Sequence, residues 1–192
     1  MGQLNTFIDE KVRQFIIAQS VFFVGTAPLA QDGHVNVSPK GLDTFRILDP
    51  HTVAYIDLTG SGIETVAHLK ENGRIVVMFC AFQGLPKIMR LHGEGRVVES
   101  NDNEFPELSE NFPSFKGARS IIVIKVTRVS ESCGYAVPLF GAAEERTQLH
   151  AWTEKKGTES LKKYREEKNQ RTLTISQAFQ SNNFRRLAHP WF

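Results

Sequence analysis

The chain has 192 residues, 41% hydrophobic and 23% charged, with 23 basic and 21 acidic side chains. Its 14 Phe and many Val and Ile residues exclude a polar, unfolded class. No apolar run reaches the roughly 18 residues of a membrane-spanning helix, and a net charge of +2 offers no basic footprint for a nucleic-acid backbone.

A chain of this length buries roughly 70% of its unfolded surface, so one core and one domain over residues 1–192 are expected. Cys80 and Cys133 are too few for a disulfide framework. Met1–Leu4 shows no basic stretch leading into an apolar core, so no secretory leader is expected. The expectation is a reduced, cytoplasmic protein.

Leu4, Phe7, Ile8, Val12, Phe15 and Ile16 recur at spacings of three and four, which predicts a helix capped by Thr6 with Asp9. Val21–Ala27 reads as a strand, and the Gln31-Asp32-Gly33 turn leads into Val35–Ser38, where Val and polar residues alternate. Thr44–Leu48 and Thr52–Asp57 are strands on either side of the Asp49-Pro50 turn. Ile63–Glu71 is a short helix burying Ile63, Val66, Ala67 and Leu69, and Asn72-Gly73 stops it. Arg74–Phe82 and Lys87–Val98 are strands, the second with a bulge or bend at Gly93 and Gly95. Residues 101–116 form a loop with about one helical turn, and Ser120–Val129 is the last strand. Glu144–Asn169 is mostly helical, so residues 144–192 read as a helical C-terminal extension.

Four strands precede the second helix and three follow it. That order excludes the strand–helix alternation of a doubly wound parallel sheet. It predicts a mainly β protein, an antiparallel split β-barrel of about six to seven strands with peripheral helices.

The standard catalytic and nucleotide signatures (P-loop, HExxH, GxSxG) are absent. The six histidines are scattered, and none has metal-ligand spacing with a Cys or Asp. Cys133 has no identifiable His partner to make it a nucleophile.

Three segments remain. Asp57-Leu58-Thr59-Gly60-Ser61-Gly62-Ile63-Glu64-Thr65 runs from a strand into a helix. Free N–H groups at the helix start, glycines for close approach, and the Ser61 and Thr65 hydroxyls suit a phosphate. Ser61-x-x-Glu64 is also a plain capping box, which the spacing alone favours, and the two readings are partly compatible. Asn36-Val37-Ser38-Pro39-Lys40-Gly41 ends a strand in a turn carrying a cation, either a surface turn or a strand edge facing a planar ring and an anion. Arg90, inside apolar Ile88-Met89-Arg90-Leu91, points to solvent or pairs with an anion.

Taken together, in order over about residues 1–130, these segments resemble the pyridoxamine 5'-phosphate oxidase-like, FMN-binding split-barrel family. Ala67-His68-Leu69, Met78-Phe79-Cys80-Ala81-Phe82, Arg90-Leu91-His92-Gly93, Ser132-Cys133-Gly134-Tyr135-Ala136-Val137-Pro138 and Trp152-Thr153-Glu154-Lys155-Lys156-Gly157 are similar to one branch of it. The resemblance implies a homodimer with FMN between two chains and a small-molecule substrate or electron donor. It places the phosphate at Ser61, Gly62 and Thr65, with Lys40 and Arg90 as cations. Val37, Ser38, Pro39 and Lys40, with Tyr55, Ile56 and Asp57, would line the isoalloxazine. Tyr135 and Trp152 are assigned to the substrate side of the ring, with core packing as the alternative.

Two departures weigh against pyridoxamine 5'-phosphate as substrate. Glu64-Thr65 stands where the oxidases place basic residues, and Gln170–Phe192 has no clear match to their Trp and Arg motif. The expected function is a flavoprotein oxidoreductase whose cofactor carries the chemistry. The alternative is a non-catalytic flavin- or heme-binding protein for storage, sensing or delivery.

Overall fold

A computed structural model describes residues 4–141 and 143–170. Eight strands form one antiparallel sheet: β1 (Leu4–Asn5), β2 (Phe22–Thr26), β3 (Asn36–Lys40), β4 (Phe45–Asp49), β5 (Thr52–Leu58), β6 (Arg74–Cys80), β7 (Ile88–Glu99) and β8 (Ala118–Ser132). The order is β3-β2-β6-β7-β8-β5-β4, with β1 added beside β8. The sheet curls into a split barrel whose two edges are β3 and β4, the mainly β architecture that the sequence predicts. The helices are α1 (Glu10–Ile17), α2 (Glu64–Asn72), α3 (Phe105–Ser109) and α4 (Gln148–Lys168).

The first helix starts later than its apolar spacing suggests. The Asp9 carboxylate takes the Val12 N–H at 2.8 Å and fixes the start there, while Leu4 pairs with Ser130 as a strand. Val12 and Ile16 are buried, closing one side of the barrel. At the other end of the chain, α4 breaks at Gly157, whose φ of 70° is open to glycine. Trp152 meets Tyr164 edge-on at 5.3 Å, with Lys156 over both rings. Twelve residues of straight helix span about 18 Å, so the two halves turn back on each other. Of the expected C-terminal extension, residues 171–192 lie outside the described residues.

Two apolar layers result. The larger fills the barrel with Val24, Tyr55, Val77, Phe79, Leu91 and Ile124, under α1 and α2. The smaller packs Ala54, Ile56, Val98, Ile121 and Val123 with Phe112 on the opposite face, beside α3. β5 feeds both, so Val53–Asp57 are all buried. β7 bends where its register with β8 shifts between His92 and Gly93. A Cβ on Gly93 would stand 2.2 Å from the Lys125 carbonyl oxygen, so only glycine allows that approach.

β3 inverts the naive reading of its alternation. Val35 and Val37 are 72% and 63% exposed, while Asn36 and Ser38 face inward beside Thr26 and Val24. The polar residues are drawn in by hydrogen bonds, and the valines are left on an open sheet edge.

Candidate functional site

Residues 60–62 carry the chain from β5 to α2. Below them lies Asp57, 1% exposed, at the end of β5. Arg119, at the start of β8, donates from Nε to Asp57 Oδ2 at 2.5 Å, and Lys40 Nζ reaches Asp57 Oδ1 at 3.3 Å. The rest of the Arg119 guanidinium turns upward, donating to the Gly62 carbonyl at 2.6 Å and the Gly60 carbonyl at 3.4 Å. Asn169, fully buried at the end of α4, donates from Nδ2 to the Gly60 and Ser61 carbonyls at 3.0 and 3.4 Å. All three carbonyls therefore face one brace. A trans peptide points its N–H opposite its C=O, so the N–H groups of Ser61, Gly62 and Ile63 face the other way.

Those donors continue into α2. Ile63 is its N-cap and supplies no side-chain cap, so the capping box expected from Ser61 and Glu64 does not form. Glu64 instead bends back, and its Oε2 accepts the Ile63 N–H at 2.9 Å. The Ser61 side chain is exposed, and a Cβ on Gly60 would meet nothing within 4 Å, so this side of the loop is open. Thr65 is turned inward, where its hydroxyl accepts from Asn36 Nδ2 at 3.1 Å.

The charges favour an anion. Burial pushes the Asp57 carboxyl up, but Arg119 and Lys40 outweigh it and hold the group below the usual carboxylate range. Arg165, one turn before Asn169, donates to the Ala118 carbonyl at 3.2 Å. Burial, and then the neighbouring Arg119 charge, push its pKa down. Among the described residues, Lys40, Arg119 and Arg165 stand against Asp57 and Glu64, which leaves one positive charge beside a helix start that is itself electropositive. Outward N–H groups, an open glycine flank and surplus positive charge fit a phosphate. The Glu64 carboxylate is the one feature that competes, because it holds a donor such a ligand would use.

Behind the loop runs a polar network. Ser38 Oγ donates to Asn36 Oδ1 at 3.3 Å, Asn36 reaches Thr65, and Thr26 Oγ1 lies 3.0 Å from His68 Nδ1. His68 is fully buried and, among the described residues, its Nε2 has no partner; desolvation lowers its pKa against the opposing pull of Glu71 and Glu64. The Tyr55 hydroxyl is also buried without a partner among the described residues; Thr65 is near it but not in hydrogen-bond geometry. Burial, and then the Asp57 charge, raise the Tyr55 pKa well above the ordinary phenol.

The structure thus gathers Lys40, Asp57, Ser61, Gly62 and Thr65 around one loop, with Ser38 joined through Asn36. Others lie elsewhere. Tyr55 and Ile56 project into the two apolar layers, and Asp57 is spent on its ion pairs, so their side chains are not free to line a ring. An interior strand flanked by β4 and β8 buries both faces. Val37 and Pro39 sit on the exposed side of β3. Arg90 is on β7, bonded to Ser132 Oγ at 2.9 Å and paired in register with Ser130. Arg119 stands eleven residues earlier on the same β8, about 35 Å of extended strand away. Tyr135 is 84% exposed, and Trp152 packs within α4. Arg119 escaped the sequence reading although it stands just before the apolar run Ile121–Ile124; the reasoning applied to Arg90 would have flagged it. Asn169 left no such signal.

Comparison with known proteins agrees with this architecture. The model of the family described as pyridoxamine 5'-phosphate oxidase matches residues 8–133. The pyridoxamine 5'-phosphate oxidase family protein ustO of Aspergillus flavus is 45% identical over 136 residues, 69% of this chain. The match spans 54% of that protein, about half its length. Among solved structures, HupZ of Group A Streptococcus aligns with 20% identity and a TM-score of 0.50, covering 64% of this chain and 91% of its own. A candidate pyridoxamine 5'-phosphate oxidase from Lactobacillus delbrueckii aligns with 18% identity and a TM-score of 0.51, covering 65% and 94%. These two share the fold. With the matched segment running from α1 through β8, the chain belongs to the pyridoxamine 5'-phosphate oxidase family.

Proposed function

We propose that this chain binds FMN and acts as a flavin-dependent oxidoreductase on a small molecule. The observation that carries this reading is the loop at residues 60–62, whose carbonyls are all drawn to Arg119 and Asn169 so that its N–H groups face outward. In this reading Ser61, Gly62 and the first turn of α2 hold the phosphate, and Lys40 and Arg119 supply charge from beneath. FMN, when bound, would supply the hydride or electron chemistry. The protein's own residues would bind and orient it.

The reading includes a homodimer with the flavin between chains. Support comes from the edge strand β3, with Val37 and the preceding Val35 exposed, and from Arg90, whose register partner on β8 stands eleven residues along the strand from Arg119. In a dimer Arg90 would serve the partner's phosphate.

Titration of the purified chain with FMN and with riboflavin tests the flavin assignment. Quenched flavin fluorescence and a raised melting temperature with FMN, more than with riboflavin, are expected. Absence of both sinks it. NAD(P)H oxidation by the FMN-loaded protein then separates the oxidoreductase from a non-catalytic flavin carrier. A band near 410 nm on purification would replace flavin with heme.

A further inference from the structure

Asn169 is the C-cap of α4, more than a hundred residues from the loop it binds, and its side chain is fully satisfied there. Nδ2 donates to the Gly60 and Ser61 carbonyls, and Oδ1 accepts from Arg119 Nη1 at 2.9 Å. Its own N–H closes the last turn of α4 on the Arg165 carbonyl at 2.9 Å. The rest of α4 is fastened by the buried Thr153 and Leu161, by Arg165 on the Ala118 carbonyl, by the Lys116–Glu154 ion pair and by His150 stacked on Phe115.

We infer that Asn169 is a positioning residue: docking the end of α4 turns the carbonyls at residues 60–62 inward and thereby makes the loop competent for a phosphate. Without Asn169, the Ser61 carbonyl loses its donor and the Gly60 carbonyl keeps only the 3.4 Å contact with Arg119. The Ser61 peptide is then free to rotate and the Gly60 peptide is held by that one long bond, so the N–H groups of Gly62 and Ser61 lose their fixed direction. Because coupling between two sites is reciprocal, a phosphate on the loop and the docked helix end stabilise each other. Asn169 touches no ligand in this scheme. The inference deepens the FMN reading and rests on it.

The test uses the full chain, with FMN and riboflavin as probes, since the two differ only in the phosphate. Asn169→Ala is expected to weaken FMN binding about tenfold while leaving riboflavin affinity unchanged, which is about 1.4 kcal/mol. A merely structural role would lower both affinities together, so parallel loss overturns the inference, as does unchanged binding of both. Amide exchange on the unsubstituted chain provides a second measurement that does not depend on the variant's folding. FMN, and not riboflavin, should slow exchange over residues 165–169; equal exchange in the two complexes overturns the coupling. If the unsubstituted chain binds FMN no more tightly than riboflavin, the phosphate reading itself fails and the inference falls with it. Failure in the variant or exchange experiment alone leaves the FMN reading standing.

Discussion

Arg119 Nε sits 2.5 Å from Asp57 Oδ2, with both side chains at most 4% exposed. The pair joins the ends of β5 and β8, and through Arg119 it carries the loop at residues 60–62. Removing one member of a buried pair leaves the other charge uncompensated. Asp57→Asn is therefore expected to lower unfolding free energy by about 3–5 kcal/mol, measured by urea denaturation. A loss under about 1 kcal/mol would show that solvent reaches Arg119 and that the pair is not structural. The pH dependence has a definite sign. The carboxyl is depressed in the folded state, so its stabilisation is complete above the unfolded value of about 4 and is lost as pH falls through the folded value. The variant should lack that acid limb.

His68 titrates in a different window. Its folded pKa lies below the unfolded value of about 6.5, because burial disfavours the cation more than Glu71 and Glu64 favour it. The unfolded chain therefore binds the extra proton first, and stability declines as pH drops below about 6.5. The slope attributable to this group is at most about 1.4 kcal/mol per pH unit. Melting temperatures between pH 8 and 5 should show the decline in the wild-type chain and a flatter profile in His68→Phe. Parallel profiles would mean that His68 keeps its proton equilibrium on folding.

Glu64 occupies the Ile63 N–H with its own carboxylate. Glu64→Gln keeps a hydrogen-bond acceptor there and removes the like charge facing a phosphate. FMN should bind more tightly by on the order of 1 kcal/mol, about fivefold, with riboflavin affinity unchanged. The same change should cost the free protein a few tenths of a kcal/mol, since an acid in the first helical turn is favourable. Tighter riboflavin binding by the same factor would point to a steric effect of the side chain instead.

Gly93 and Gly60 separate fold from site. An added methyl at Gly93 meets the Lys125 carbonyl at 2.2 Å, where the backbone must move. Gly93→Ala should destabilise by about 3 kcal/mol or more, at the upper end of overpacking costs. Gly60→Ala meets nothing within 4 Å, so its stability should stay within about 0.5 kcal/mol of the wild type. Guanidinium denaturation of both variants checks the contrast, and equal effects would contradict the bulge at His92–Gly93.

Much of this was legible in the sequence because it rests on local chemistry. Val21–Ala27, Thr52–Asp57 and Arg74–Phe82 are dense in β-branched and aromatic residues, and each became a strand with no end shifted by more than two residues. Gly73 stops α2 at a φ of 69°, as the Asn-Gly pair announces. The glycine pair in β7 marked the bend. What escaped depends on distant partners. Leu4 fits a helical spacing, yet β8 captures it as a strand. The alternation at Val35–Ser38 gives the period of β3 and not which face is inside; Thr26 and Thr65 decided that by binding Asn36. At the site, the loop and Lys40 were visible as motifs. Asn169 was not, because a lone Asn at a helix end has many ordinary uses and its partners lie more than a hundred residues away.

Arg90 provides the sharpest test of a shared site. Within one chain it is bonded to Ser132, and the register of β7 on β8 sets it far from Arg119 and the loop. If it serves a phosphate at all, it serves one on a second chain. Arg90→Ala should then weaken FMN binding by about 1.5–3 kcal/mol, the range of a charge-assisted hydrogen bond, in the assembled dimer. Dilution below the dimer dissociation constant should abolish the difference between variant and wild type. Mixed dimers make the geometry explicit. Chains carrying Arg90→Ala, combined with chains whose loop is disabled by Gly62→Asp, should regain tight FMN sites, because each mixed pair unites one intact loop with one intact Arg90. No regain on mixing, with weak binding in the Arg90→Ala parent, would place the arginine's effect within its own chain. Unchanged affinity in that parent would remove Arg90 from the site.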